Sequence, residues 1–371
     1  MQKLFHNKQF IRLKTANETI LSIDLKKLEH NFNYLKSKLA PTTKVIAVVK
    51  AFAYGHGDVE ISKKLEQLGI YGLWVTDFEE GVILRKAGIQ TKIIVANPGI
   101  KSYSQIVKHK LDVVIYNSRL LNLYCKKKST VNVHIKFNTG MNRYGFDEKD
   151  LETIIAKLVS NSHLNVLSIC SHLASADKIE KREFTQNQIA KFRTLSSKFE
   201  VLFETKLLKH ILNSHGLINF PEHQMDVVRL GIGLYGSAKD DNLYPISSLK
   251  SVITQSRIIK KGESVGYGPT FFAKEKMNIS MVPVGYADGL NRKLSNGVGS
   301  VLINGKSCSI IGKISMGNFA VDTTNISVSE GDTVEIFGEK LTVSSIAKSI
   351  NTIPYEIYST LNRRLKRVYS D

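Results

Sequence analysis

The sequence predicts an α/β protein: an N-terminal (β/α)8 barrel of the TIM type followed by a mostly-β C-terminal domain. Three observations carry that expectation. Short apolar or β-branched runs alternate with helix-period stretches over the first two thirds of the chain. Eight such runs fall within roughly 200 residues, the count a closed barrel needs. Beyond about Gly236 the helical stretches give way to alternating strands. The barrel is expected over residues 22–240 and the β domain over 241–371, with residues 1–21 packing on the β domain.

Taken in order, the barrel strands are VIAVVK from Val45, YGLWVT from Tyr71, KIIVAN from Lys92 and DVVIYN from Asp112. VHIKFN from Val133, VLSICSH from Val166, KHILNS from Lys209 and VVRLGIGLYG from Val227 complete the set. VEISKKLEQLG and FEEGVILRKAG, each closed by a glycine suited to a C-cap, read as the helices after the first two strands. A doubly wound sheet is disfavoured because no Gly-rich nucleotide turn follows the first strand. In the second domain the strands are SVITQSRIIK, NISMVPVGY, GSVLINGKSCSIIG, NFAVDTT and DTVEIFG, with DDNLYPISSLK as the joint and a short helix expected at the end. Asn304-Gly305 inside LINGKS is a strong signal for a two-residue hairpin turn.

Composition narrows the class. No apolar run approaches the roughly 18 to 20 residues of a membrane helix, and the N-terminus lacks the apolar core of a secretory signal. Three widely spaced cysteines, Cys125, Cys170 and Cys308, suit a reducing cytoplasm better than a disulfide framework. Metal-ligand spacing of the C-x-x-C kind is absent, so no metal is expected. The net charge of +19 could signal nucleic acid or a membrane surface, but the basic residues are spread along the chain. A solvated lysine-rich surface accounts for them, with steering of anionic small molecules as a by-product.

Barrel enzymes build their sites at the C-terminal strand ends. Lys50 closes the first strand, and Lys136 lies in the fifth with Arg143 just beyond it. His172 ends the sixth strand, Asn213 and Ser214 the seventh, and Arg229 lies in the eighth before Gly231 and Ile232. Singly each has an ordinary structural reading: a snorkelling lysine, a satisfied histidine, a core arginine. Together they describe one rim. Phosphate sites recur after strands seven and eight of such barrels, and here those loops supply the Ser214 hydroxyl and the amides of Gly231 and Ile232. A phosphate site opposite a lysine suggests pyridoxal 5'-phosphate joined to Lys50 as a Schiff base.

VVKAFAYGHG (Val48 to Gly57) resembles the pyridoxal-phosphate lysine motif of alanine racemases. KFNTGMNRYG, SHLASAD, NSHG, VRLGIGLYG, GYGPTF, VGYADG and GKISM follow in that family's order and at compatible spacing, over most of the chain. The resemblance implies a head-to-tail homodimer whose site is completed by the other subunit's β domain. It implies that Lys50 is the cofactor lysine and one catalytic base. Tyr267, donated by the partner chain, would be the second base, with His172 nearby to orient it. Tyr54, Ser214, Gly231 and Ile232 would reach the cofactor phosphate, and Asn213 would lie beside them. Arg229 would face the pyridine nitrogen, while Arg143 and the Met316 amide would meet the substrate. Tyr286, Arg292 and Asp177 would line the access corridor.

The motifs also depart from the family pattern. Phe52 replaces an asparagine, Asn138 an aspartate, and Gly317 the aspartate usual after Met316. NRRLKR stands near the C-terminus where some members place a phosphate-binding tyrosine, so Arg363 is expected to substitute for it. Lys136 occupies a position that some racemases carbamylate, and a plain lysine fits equally. The expected function is interconversion of L-alanine and D-alanine by two bases, supplying D-alanine for peptidoglycan in the cytoplasm. The alternatives are a pyridoxal-phosphate racemase of broader or different amino-acid specificity, and a non-catalytic pyridoxal-phosphate carrier. A decarboxylase needing a reactive Cys308 is disfavoured, because that residue reads as core.

Overall fold

The computed structural model describes residues 16–371; the expected packing of residues 1–21 therefore lies largely outside the described residues. Its first strand, β1 (Ile20–Asp24), belongs to the C-terminal sheet and not to the barrel. The barrel strands follow: β2 (Lys44–Val48), β3 (Gly72–Val75), β4 (Lys92–Val95) and β5 (Asp112–Ile115). β6 (Val131–Lys136), β7 (Leu164–Cys170), β8 (Leu208–His210) and β9 (Val227–Leu230) complete it. All pair in parallel in the order β8-β7-β6-β5-β4-β3-β2-β9. The ring is completed by the Arg229 amide, which donates to the Leu212 carbonyl at 3.0 Å.

These strands are continuous apolar runs because both faces are covered: β5 is buried at every position, and β4 at all but its first. The helices between them carry the expected signals. Asp77 caps Phe78–Lys86 by accepting from the Glu80 amide at 3.0 Å, and Asn117 caps Ser118–Lys126 in the same way. Gly69 and Gly88, each at positive φ, sit just past the first two large helices that follow barrel strands, Asp58–Gln67 and Phe78–Lys86.

The C-terminal sheet has nine strands: β1 with β10 (Ser247–Val252), β11 (Gln255–Ile259), β12 (Met277–Val282), β13 (Ser300–Ile303), β14 (Lys306–Ile311), β15 (Phe319–Asp322), β16 (Thr333–Phe337) and β17 (Lys366–Ser370). Asn304 and Gly305, at φ of 50° and 76°, turn β13 into β14 with Ile303 opposite Lys306. The single strand expected over SVITQSRIIK is two, because the chain leaves β10 at Ile253 to start β11 at Gln255. The expected final helix is two short helices, Val343–Ser349 and Pro354–Ser359, and the chain then ends on β17, parallel to β1. One apolar core runs without interruption from the barrel into this sheet. No helix among the described residues is long and apolar enough to cross a membrane.

Candidate active site

β2 stops at Val48, two residues short of Lys50. Lys50 instead opens a tight turn in which Ala51, Phe52, Ala53 and Tyr54 all have φ between 50° and 57°. That is a turn of left-handed helix in residues with side chains, at a cost of about 1–2 kcal/mol for each. Such strain persists only when the surroundings impose it. Here Glu80 accepts the Ala51 amide at 2.6 Å, the Arg367 guanidinium donates to Gly55 O at 2.9 Å, and the Tyr369 hydroxyl donates to His56 O at 2.9 Å. His56 bonds Ala53 O at 3.0 Å and the Ser247 hydroxyl at 2.9 Å, with its ring stacked on Tyr235 and the Tyr358 ring tilted against it. Burial pushes its pKa down to about 4, so the ring is neutral and donates through Nδ1. His56 is thus a clamp for the strained turn.

Phe52 belongs to the same clamp. Arg363 and Arg367 stand over its ring at 4.6 and 4.8 Å from the centroid. The aromatic substitution is therefore matched by two cations from the end of the β domain, and Arg363 points at Phe52 and does not line the cavity. The tyrosine that does line it is Tyr355, from the helix Pro354–Ser359, its ring 5.8 Å from that of Tyr54.

Inside the barrel mouth lies a cavity of about 310 Å³. It is lined by Lys50, Tyr54, Lys136, Arg143, His172, Asn213, Ser214, Arg229, Gly231 and Ile232, so the strand-end residues expected to converge do so. No lining residue is an aspartate or glutamate. Burial, and behind it the Arg143 guanidinium, lowers the pKa of Lys50 from its usual value. Burial likewise brings the Lys136 amine down to about 8, helped by Arg229, Arg143 and Lys50. His172 is held well below the imidazole range by burial and by Arg229, whose guanidinium donates to its Nδ1 at 3.2 Å. Four cations facing one another without a carboxylate make a site for an anion.

One end of the cavity has the chemistry of a phosphate cradle. The Ser214 hydroxyl accepts the amides of Gly231 at 2.9 Å and Gly233 at 3.2 Å. A Cβ at Gly231 would lie 2.7 Å from the Tyr54 hydroxyl, so only glycine lets that backbone come so close to the phenol. Asn213 caps the helix Ser214–Asn219, its Oδ1 accepting the Gly216 amide at 2.8 Å, and so sets where Ser214 stands. Asn138 shapes its loop in a comparable way. Its Oδ1 accepts the Gly140 and Asn142 amides, which an aspartate would do as well.

Tyr267 and Met316 do not line the cavity. They are 71% and 62% exposed on the β domain, as is Tyr286 at 45%. Arg292 and Asp177 are exposed as well. Besides Tyr355, sequence reasoning passed over Glu80, Tyr235 and Trp74. Trp74 lies within YGLWVT, and its ring sits 5.2 Å from the Arg229 guanidinium. No cluster of three or more metal-ligating side chains is present among the described residues.

Comparison with known proteins gives this site a lineage. Residues 23–239 match the alanine racemase N-terminal domain and residues 246–369 the alanine racemase C-terminal domain. The alanine racemase of Thermodesulfovibrio yellowstonii is 37% identical, over 94% of this chain and 96% of its own. That of Syntrophobacter fumaroxidans is 35% identical over 92% and 95%. The alanine racemase structure from Clostridium difficile 630 superposes with a TM-score of 0.90 at 31% identity, covering 96% of this chain and 97% of that one. The cationic mouth of the barrel and the two matched domains lead to one conclusion: this chain belongs to the alanine racemase family.

Proposed function

We propose that the chain interconverts L-alanine and D-alanine with pyridoxal 5'-phosphate held in the barrel mouth. The observation that carries the reading is Lys50 in a cationic, carboxylate-free cavity opposite the Ser214, Gly231 and Tyr54 cradle. These residues fit the cofactor. Ser214, the amides of Gly231 and Ile232, Tyr54 and Tyr355 would hold its phosphate, Arg229 its ring nitrogen and Lys50 its aldehyde carbon. When bound, the cofactor acidifies the amino acid's α-proton by drawing the remaining electron pair into its ring.

Racemisation takes that proton from one face and returns it on the other, so two acid/base groups must face each other across the substrate. Lys50 serves one face. Its lowered pKa suits it, since an ordinary lysine is too weakly deprotonated near neutrality. Tyr267 of a second copy serves the other face, because its own chain leaves it exposed and away from the cavity. The assembly is therefore a head-to-tail homodimer. Arg143 holds the substrate carboxylate, and the Met316 amide of the second copy closes the pocket. Arg229 cannot yield its proton to the ring nitrogen and so keeps that nitrogen unprotonated. Free Cys125, Cys170 and Cys308 suit a reducing cytoplasm, where the product would supply peptidoglycan synthesis.

Borohydride reduction of the purified protein followed by peptide mass spectrometry tests the reading. The expected result is a pyridoxyl adduct on the peptide carrying Lys50, and its absence from cofactor-supplemented protein overturns the assignment. A second reading has an observation of its own: nothing lies within 4 Å of where a Cβ on Gly317 would stand, which leaves room beside Met316 for larger side chains. A relative 36% identical over 94% of this chain and 51% of its own, from Enterococcus faecalis, is described as an amino-acid racemase. Conversion of L-serine or basic amino acids at rates near that of L-alanine would favour this broader enzyme.

A further inference from the structure

Arg229 is 4% exposed, and its guanidinium meets no carboxylate among the described residues. It donates instead to neutral acceptors: the Ser171 carbonyl at 2.6 Å, the Ile211 carbonyl at 3.3 Å, His172 Nδ1 at 3.2 Å, the His210 carbonyl at 3.2 Å and His210 Nδ1. A buried cation without a counter-charge is costly. The barrel interior, normally filled with branched apolar side chains, here holds a string of polar ones leading away from that cation.

His210 Nε2 lies 2.9 Å from the Ser168 hydroxyl, which lies 2.6 Å from His134 Nδ1. His134 Nε2 faces Asp112 Oδ2 at 3.6 Å, and the other Asp112 oxygen accepts from Asn132 at 2.9 Å. His134 Nε2 and Asp112 Oδ2 are buried atoms that have no other partner, and each is the other's neighbour. Asp112, His134, Ser168 and His210 are all at most 4% exposed.

With both imidazoles neutral, one arrangement of protons satisfies every contact. The guanidinium can only donate, so His210 Nδ1 accepts and Nε2 carries the ring proton. Nε2 therefore donates to Ser168, whose own hydrogen must go to His134 Nδ1. His134 then carries its proton on Nε2, aimed at the Asp112 carboxylate. The three hydrogen bonds run the same way, from Arg229 through His210 and Ser168 to His134, and each polarises the next, while His134 faces the buried Asp112 carboxylate at 3.6 Å as a charge contact.

We infer that Asp112, His134 and Ser168 are positioning residues that deliver the counter-charge of Asp112 to Arg229 through His210 and so fix the guanidinium against the cofactor ring. The inference rests on the cofactor reading above. With the string intact, His210 is locked as an acceptor and Arg229 is held with a hydrogen to spare for the ring nitrogen. With it broken, His210 is free to turn its donor toward Arg229, the guanidinium shifts, and the ring nitrogen is left to take a proton from water.

The test uses holoenzyme loaded with cofactor labelled for NMR at the ring nitrogen, as wild type and as Ser168→Ala, His134→Leu and Asp112→Asn. Borohydride trapping at Lys50 is run on every sample. In Ser168→Ala and His134→Leu, the ring-nitrogen resonance is expected to move toward that of the protonated ring, and transamination to rise relative to racemisation by roughly tenfold. Asp112→Asn keeps the contact but removes the charge, and should move both in the same direction by less. A variant that fails to fold gives no trapped adduct, and the isosteric Asp112→Asn then decides. If the wild type traps no adduct, the cofactor reading fails. If adducts form and the resonance and partition stay at wild-type values, the string is polar packing alone and this inference is wrong.

Discussion

The barrel mouth and the rim of the β domain solve opposite problems. At the mouth, groups from the strand ends and the helix bearing Tyr355 are gathered into one cavity, and Lys50 is held there by a strained left-handed turn. On the β domain, Tyr267 and Met316 are carried on loops with 71% and 62% of their surface exposed. On the proposed reading, the pocket holds one of the two bases and the β domain carries the other outside any pocket. Neither is a complete two-base site, which is why a second copy of the chain enters the proposed mechanism.

The sharpest way to break that comparison is to separate the two bases genetically. Lys50→Ala and Tyr267→Phe should each lose about 100- to 10,000-fold in racemisation rate. Co-expressed or refolded together, they should regain roughly a quarter of wild-type activity, because half of the pairs are mixed and each mixed pair has one intact site. The assay is racemisation of L-alanine in the mixture against each variant alone. Failure to recover, with mixed dimers present by mass, would put both bases in one chain.

A smaller effect probes how the mouth holds its strain. The His56 pKa, about 4 in the folded protein, lies below its unfolded value near 6.5. Between those values the unfolded chain binds the extra proton, so stability is complete above about pH 6.5 and declines as the pH falls toward 4. From this residue the loss between pH 7 and pH 5 should be about 2 kcal/mol. Urea midpoints at the two pH values will show it as a difference in slope between wild type and His56→Gln. Equal slopes would mean that His56 does not hold the turn as a neutral donor.

The two regions also differed in how far the sequence could be read. Barrel strands announced themselves as apolar runs, and the rule that sites form at strand ends gathered Lys50, Lys136, His172, Ser214 and Arg229 without any coordinates. The left-handed turn was not legible, since Ala51, Phe52 and Ala53 have no preference for positive φ, and contacts from Arg367 and Tyr369, more than 300 positions away, impose it. The same distance hid Tyr355 and misassigned Arg363, because side-chain direction at the C-terminus depends on how the β domain docks. Ser168 and Asp112 were read only as strand residues, since alternation tells which face a side chain takes and not that five polar groups will meet inside the barrel.

The smallest expected effect sharpens the comparison from the side of the β domain. Gly317 does not have positive φ, and a Cβ there would meet no neighbour within 4 Å. Gly317→Asp, which restores the residue usual in the family pattern, should therefore change unfolding free energy by less than about 0.5 kcal/mol. Its charge would stand beside Met316, on the surface proposed to close a partner's pocket. The expected signature is a change in KM, larger for bulky amino acids than for alanine, with little change in kcat for alanine. A loss of stability without a change in KM would instead make Gly317 a residue of the fold. It would also remove the reason to treat this rim as the outer half of a site.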